Sequence, residues 1–200
     1  GARLLFRICP APVGTVLTPV IDSLSSTTML FLIIVGLTGI ERLIELRIGA
    51  KNRRWSMDRG GQEYGHGHWP WMVLLHTGFL VSMVAEALLM PTQPRAVLTV
   101  LMLAVALASQ GLRWWCIRTL GHRWNPRVIV VPGTVPVQSG PYRWIKHPNY
   151  VAVAMEGIAL PMIHACWRTA LGFTIANAFL MVVRIRCENT ALELLQTDDP

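Results

Sequence analysis

Charge is what this sequence has least of. Asp, Glu, Lys and Arg make up only 14% of its 200 residues, against about 25% in an ordinary soluble domain. With 52% hydrophobic residues and a mean hydropathy of +0.44, that shortage excludes a water-soluble domain and puts the chain in a membrane. Cysteine is also sparse. Cys9, Cys116, Cys166 and Cys187 stand far apart without metal-ligand spacing, so neither a disulfide framework nor a metal site is expected. The N-terminus lacks the compact apolar core of a cleavable signal; residues 1–26, with Pro10, Pro12, Gly14 and Pro19, read as an extramembrane lead. Gly36 and Gly39 lie on the first apolar stretch but form no GxxxG helix-pairing pattern.

What is present is apolar length. Stretches at Thr28–Leu46, Trp71–Met90 and Ala96–Ile117 each approach the roughly 20 residues a span needs. A longer block, Pro148–Val183, is interrupted by Pro161, His164 and Arg168 and reads as two short helices in a hairpin. The expectation is an all-α, polytopic membrane protein of about five transmembrane helices. Residues 27–200 would form one integral-membrane domain.

Lys and Arg orient it, because basic loops stay cytosolic. Arg47, Lys51, Arg53, Arg54 and Arg59 follow the first stretch. Arg113, Arg118, Arg123, Arg127, Arg143 and Lys146 surround the connection from third to fourth, and Arg184 and Arg186 close the fifth. Only Arg3, Arg7, Arg95 and Arg168 fall on the other side. The N-terminus is therefore expected outside. This asymmetry accounts for the net charge of +7 without a nucleic-acid partner, and it favours anionic membrane lipids as neighbours.

Two cytosolic segments hold most of the reactive side chains. In the first, "KNRRWSMDRGGQEYGHGHWPW", His66 and His68 have no carboxylate or Cys to complete a metal shell, while Trp55, Trp69 and Trp71 suit an interfacial loop. The second runs from Arg118 to Tyr150 and is too long and too rich in Gly and Pro for a mere connector. It ends in "SGPYRWIKHPNY". Pro148 suits the first turn of a helix, which puts His147 near the N-cap. The free N–H groups there, with Arg143, Lys146 and His147, make a site for a carboxylate or phosphate. Tyr142 and Tyr150 offer flat surfaces for a ring. A cationic interfacial cap with aromatic belt residues would look the same.

At the far end of the expected hairpin, Arg184 and Glu188 share one helix face. They read either as an interfacial ion pair or as a second polar cluster converging with the first on one pocket. Within the apolar stretches, His76 and Glu156 should face a cavity or an interhelical partner, whereas Glu41 and Glu45 read as solvated near the cytosolic end.

"VQSGPYRWIKHPNYVA" followed some thirty residues later by "RIRCENTAL" resembles the isoprenylcysteine carboxyl methyltransferase family, with its GxYxxxRHPxYxG stretch and later RxxxE. The first half, with "ERLIELRIGAKNRRW" and "RTLGHRW", is similar to bacterial members that O-methylate alkylpyrones. The resemblance implies S-adenosylmethionine in a cytosol-facing pocket formed by about residues 118–195. It carries cofactor contacts to Thr134, Val135, Pro136, Val137, Tyr142, His147, Pro148, Asn149, Tyr150 and Glu188. It makes Arg184 the substrate-side arginine, and Arg184 and Glu188 the catalytic pair. Lys146 replaces the family's usual Arg, and Thr134 and Pro136 stand where eukaryotic members carry His and Leu. The implied reaction is methyl transfer to a carboxylate or enolic oxygen of a lipophilic or lipidated acceptor. A membrane NADPH-dependent reductase of the sterol-reductase type is the alternative.

Overall fold

The computed structural model describes residues 25–90 and 92–197; all but the last two residues of the N-terminal lead, and Cys9 with it, lie outside them. Five helices dominate: α1 (Ser26–Met57), α2 (Trp69–Leu89), α3 (Ala96–Leu120), α4 (Pro148–Met162) and α5 (Trp167–Thr197). Ser25 caps α1 by accepting from the Thr28 amide at 3.3 Å, which satisfies one orphan N–H of the first turn. α1 overruns the apolar stretch by continuing through its basic tail to Met57, where the turn through Gly60 and Gly61 stops it. α4 begins on Pro148 with His147 at its N-cap.

The all-α expectation needs one correction. β1 (Gln62–Tyr64) and β2 (Val128–Val130) pair antiparallel, Gln62 opposite Val130 and Tyr64 opposite Val128. Strands this short leave no readable period, and their pairing is long-range. The β-branched run of β2 supplies the preference. The sheet ties the two polar loops to each other.

Trp69–Leu89, Ala96–Arg123 and Trp167–Ala191 are long and apolar enough to cross a membrane. α4, at 15 residues and a rise of 1.5 Å each, is about 22 Å long, short of a ~30 Å hydrocarbon core. Outward-facing Leu30, Ile33, Leu37 and Ile40 on α1 are all more than half exposed, as are Val97 and Phe179. Apolar surface on this scale belongs against lipid rather than water.

The core lies towards the end of the bundle where α1 and α5 begin and α4 ends, with Phe31, Val35, Phe79, Met83, Leu160 and Phe173 buried together. One end of the bundle is stitched by polar contacts. His164 bridges Thr92 and Thr28 at 3.0 Å each. Glu86 caps α5 by accepting from the Thr169 amide at 2.8 Å and the Thr169 hydroxyl at 2.7 Å. The opposite end gathers both long loops, the sheet and the start of α4.

A second correction concerns Glu45, which is buried rather than solvated. Its carboxylate accepts from Arg113 Nε at 2.5 Å and Nη2 at 2.8 Å, and from Arg42 Nη1 at 2.7 Å. Arg42 also donates to both oxygens of Glu156, at 3.0 and 3.1 Å, and Gln110 donates to Glu156 at 3.2 Å. The Trp114 indole donates to Glu41. Buried carboxylates must be paired, and α1, α3 and α4 supply the partners from separate parts of the chain. For Glu156, the interhelical partner is the answer.

Candidate active site

The long loop after α3 is fixed by its neighbours. Asn52 of α1 donates to the Trp124 carbonyl at 2.7 Å and the Gly121 carbonyl at 3.1 Å. Gly49 lets the chain approach closely, since a Cβ there would lie 2.5 Å from Pro126 Cδ. Farther on, Arg123 donates to the Val135 carbonyl at 2.8 Å, and Thr134 donates back to Val131 at 2.7 Å, closing a turn. Gly140 sits at φ +56 against α3, where a Cβ would meet Thr119 Oγ1 at 2.5 Å. Only glycine combines that backbone with that contact.

These constraints shape a polar cavity of about 580 Å³, within the 300–1,000 Å³ range typical of small-molecule sites. Thr134, Val135, Pro136, Val137, Tyr142, His147 and Glu188 all line it, with Lys146 and Asn189. His147 Nε2 and Asn189 Oδ1 are buried without a hydrogen-bond partner among the described residues. Burial, and then Cys116 beside it, raises the Tyr142 hydroxyl above its ordinary value of 10, so it stays a neutral donor. Arg143 is exposed and contributes nothing to this wall. Pro148 is buried and does not line this cavity; it serves the helix start.

A second cavity, of about 390 Å³, is mostly apolar and lies between α1, α2 and the start of α4. Leu43, Leu46, Leu80, Val153 and Met181 line it. Arg184 enters its wall beside Asn149 and Tyr150; His76, Arg42, Glu45 and Arg113 add polar groups. The Pro126 carbonyl accepts from Arg184 Nη2 at 2.8 Å. Arg184 Nη1 rests on the Met72 thioether.

A small chamber lies between the two and shares walls with each. It shares Tyr142, His147 and Glu188 with the polar cavity, and Asn149, Tyr150 and Arg184 with the apolar one. The Tyr150 hydroxyl donates to Glu188 Oε2 at 2.8 Å, and His147 Nδ1 lies 3.7 Å from the same oxygen. The Arg184 guanidinium stands 5.7 Å from the Tyr150 ring centroid. Arg184 and Glu188, one turn apart, form no ion pair with each other; Tyr150 engages both.

Sequence reasoning did not find Asn189, Asn52 or Gly49. Asn189 adjoins Glu188 in "CENTA" and could have been picked out there; the other two act through a loop far away in sequence. Nor was the Glu63 clamp legible, in which Arg127 Nη1 donates at 2.6 Å and Arg53 Nε at 2.9 Å. Burial alone would raise the Glu63 carboxyl, but the two guanidinium hydrogen bonds overcome it and hold the group below its ordinary 4.5.

Apolar helices thus surround a polar site, with a loop-walled cavity at one end. Residues 99–194 match the family described as "Isoprenylcysteine carboxyl methyltransferase (ICMT) family". The chain is also similar to a Bacillus subtilis (strain 168) protein named "Uncharacterized protein YpbQ", at 36% identity over 164 residues, 82% of this chain and 97% of that one. The chain belongs to the isoprenylcysteine carboxyl methyltransferase family and is a membrane methyltransferase. Members of that family use S-adenosylmethionine as methyl donor.

Proposed function

We propose that this protein transfers a methyl group from S-adenosylmethionine to a carboxylate or enolic oxygen of a lipophilic acceptor, isoprenylcysteine-like or alkylpyrone-like. The observation that carries this reading is the junction itself. A polar cavity and an apolar cavity meet at a chamber walled by His147, Tyr150, Arg184 and Glu188. Such a pair suits a water-soluble donor and a greasy acceptor that must touch at one atom.

The polar cavity fits the cofactor in its donor set. The Glu188 carboxylate can receive an ammonium or ribose hydroxyls, and the unpartnered His147 Nε2 and Asn189 Oδ1 offer further polar contacts. Thr134, Val135, Pro136, Val137 and Tyr142 form its walls, while Pro148 and Asn149 set the backbone of the first helical turn. When bound, the cofactor supplies an electrophilic methyl on a sulfonium.

The chain's own contribution is alignment, since in such a displacement the reacting atoms must be held about 3–3.5 Å apart. A carboxylate or acidic enol is already anionic near neutral pH and needs no strong base. Arg184, held by the Pro126 carbonyl, orients that oxygen through a charge-assisted hydrogen bond. Tyr150 fixes the Glu188 carboxylate.

The reading extends to topology. Glu41, Arg42 and Glu45 of α1 turn inward while its outer stripe is apolar, which supports α1 as a fourth span; the short α4 makes the fifth in a locally thinned bilayer, all within one domain of residues 27–200. Basic loops then put the polar cavity in the cytosol. Calorimetric titration of the purified protein with S-adenosylhomocysteine and, separately, NADPH tests the reading. Binding of the former, with methylation of a lipophilic acid or enol, is expected; NADPH binding alone would overturn it.

A further inference from the structure

The apolar cavity has a second polar pole that methyl transfer to a single oxygen does not require. His76, on α2, lines it together with apolar Leu43, Leu80 and Val153. Its Nδ1 lies 2.9 Å from the Met72 carbonyl. A carbonyl can only accept, so Nδ1 carries the proton, and the neutral imidazole presents Nε2 as an acceptor. No partner for Nε2 is found among the described residues. The ring is held edge-on to Phe173, centroids 5.5 Å apart, so its direction is fixed.

Met72 also carries the thioether on which Arg184 rests, and His76 lies one helical turn, about 5.4 Å, deeper along α2. Arg42, Glu45 and Arg113 line the same cavity and pair with one another and with Glu156; only Arg113 Nη1 is left over, and it is a donor. That leaves an uncommitted acceptor at a fixed step from the arginine. An acceptor that faces a mostly apolar cavity selects for a donor once a ligand fills it, because a ligand without one leaves the nitrogen unpaired.

We propose that His76 is a specificity residue whose Nε2 accepts a hydrogen bond from an uncharged hydroxyl of the methyl acceptor, about one helical turn deeper than the oxygen held by Arg184. The inference rests on the methyltransferase reading and narrows its substrate class to lipophilic molecules with two oxygens on a compact head. A simple fatty carboxylate, with nothing to offer His76, is the poorer acceptor.

The test uses two probes with the same alkyl tail, a long-chain 3-hydroxycarboxylate and the matching long-chain carboxylate without the hydroxyl, with the full-length protein in detergent. The wild type should show a KM lower by roughly five- to tenfold for the hydroxylated probe. In His76→Phe, which keeps the aromatic contact with Phe173, that ratio should collapse towards one. His76→Gln, which restores an acceptor, should recover part of it. S-adenosylhomocysteine affinity reports folding in each variant. No preference in the wild type, or an unchanged preference in His76→Phe, overturns the role of His76 alone. Turnover of neither probe while S-adenosylhomocysteine still binds overturns the substrate class. Loss of S-adenosylhomocysteine binding in the wild type removes the methyltransferase reading itself.

Discussion

The Tyr150 hydroxyl donates to Glu188 Oε2 at 2.8 Å, joining the first turn of α4 to α5 at the meeting point of the two cavities. Tyr150→Phe removes only that donor. A hydrogen bond to a carboxylate contributes about 1.5–3 kcal/mol, so S-adenosylhomocysteine affinity should fall about tenfold as Glu188 loses its anchor. Titration calorimetry reads this directly. Unchanged affinity would mean that Glu188 needs no positioning for the cofactor.

Arg184 and Glu188 should separate in their effects. Arg184→Lys keeps the charge but loses the fork that holds the Pro126 carbonyl while engaging a second acceptor. Turnover should drop about 10²-fold or more, with S-adenosylhomocysteine affinity little changed. Glu188→Gln should weaken cofactor binding first. If both variants merely lowered the melting temperature, neither residue would belong to the active site.

Glu45→Gln probes the buried network. Arg113 would be left facing a neutral amide inside the bundle, and breaking one side of a buried pair costs about 3–5 kcal/mol. A clear loss of thermal stability in detergent is expected. Glu41→Gln is the milder control, because the Glu41 side chain is 18% exposed against 6% for Glu45. Equal effects would count against a structural role centred on Glu45.

The Glu63 clamp predicts an acid limit. Its carboxyl is held below its ordinary 4.5 in the folded protein, so unfolding takes up a proton first as pH falls. The clamp's stabilisation is complete above about pH 4.5 and is lost as pH drops from there through the lower folded-state value. Melting temperature followed downward from roughly pH 6 should fall more steeply in the wild type than in Glu63→Gln. Parallel curves would show that the clamp does not set acid stability.

Topology is tested by labelling from outside in a background whose own cysteines are replaced. Gln93→Cys, in the loop between α2 and α3, should react with an impermeant reagent in intact cells. Ser139→Cys, beside the polar cavity, should react only after permeabilisation. The reverse pattern would sink the cytosolic placement of the cofactor pocket.

Sequence alone determined what local chemistry can dictate. Apolar length gave the positions of α2 and α3 to within three residues, and Pro148 gave the start of α4, because helix periods and caps are short-range. Motif residues carried the family and most of the lining of the polar cavity. Tertiary structure decided what depends on distant partners. Glu41 and Glu45 look solvated on one helix, and only the packing of α3 and α4 supplies Arg113, Gln110 and Glu156 to make a buried network. Arg184 and Glu188 look like an ion pair at helical spacing until Tyr150 comes between them. The β1–β2 sheet and the support of Arg184 by Pro126, itself seated against Gly49, join residues whose sequence neighbours give no hint of one another. Pairing energies across such distances are realised only once the chain has closed its loops.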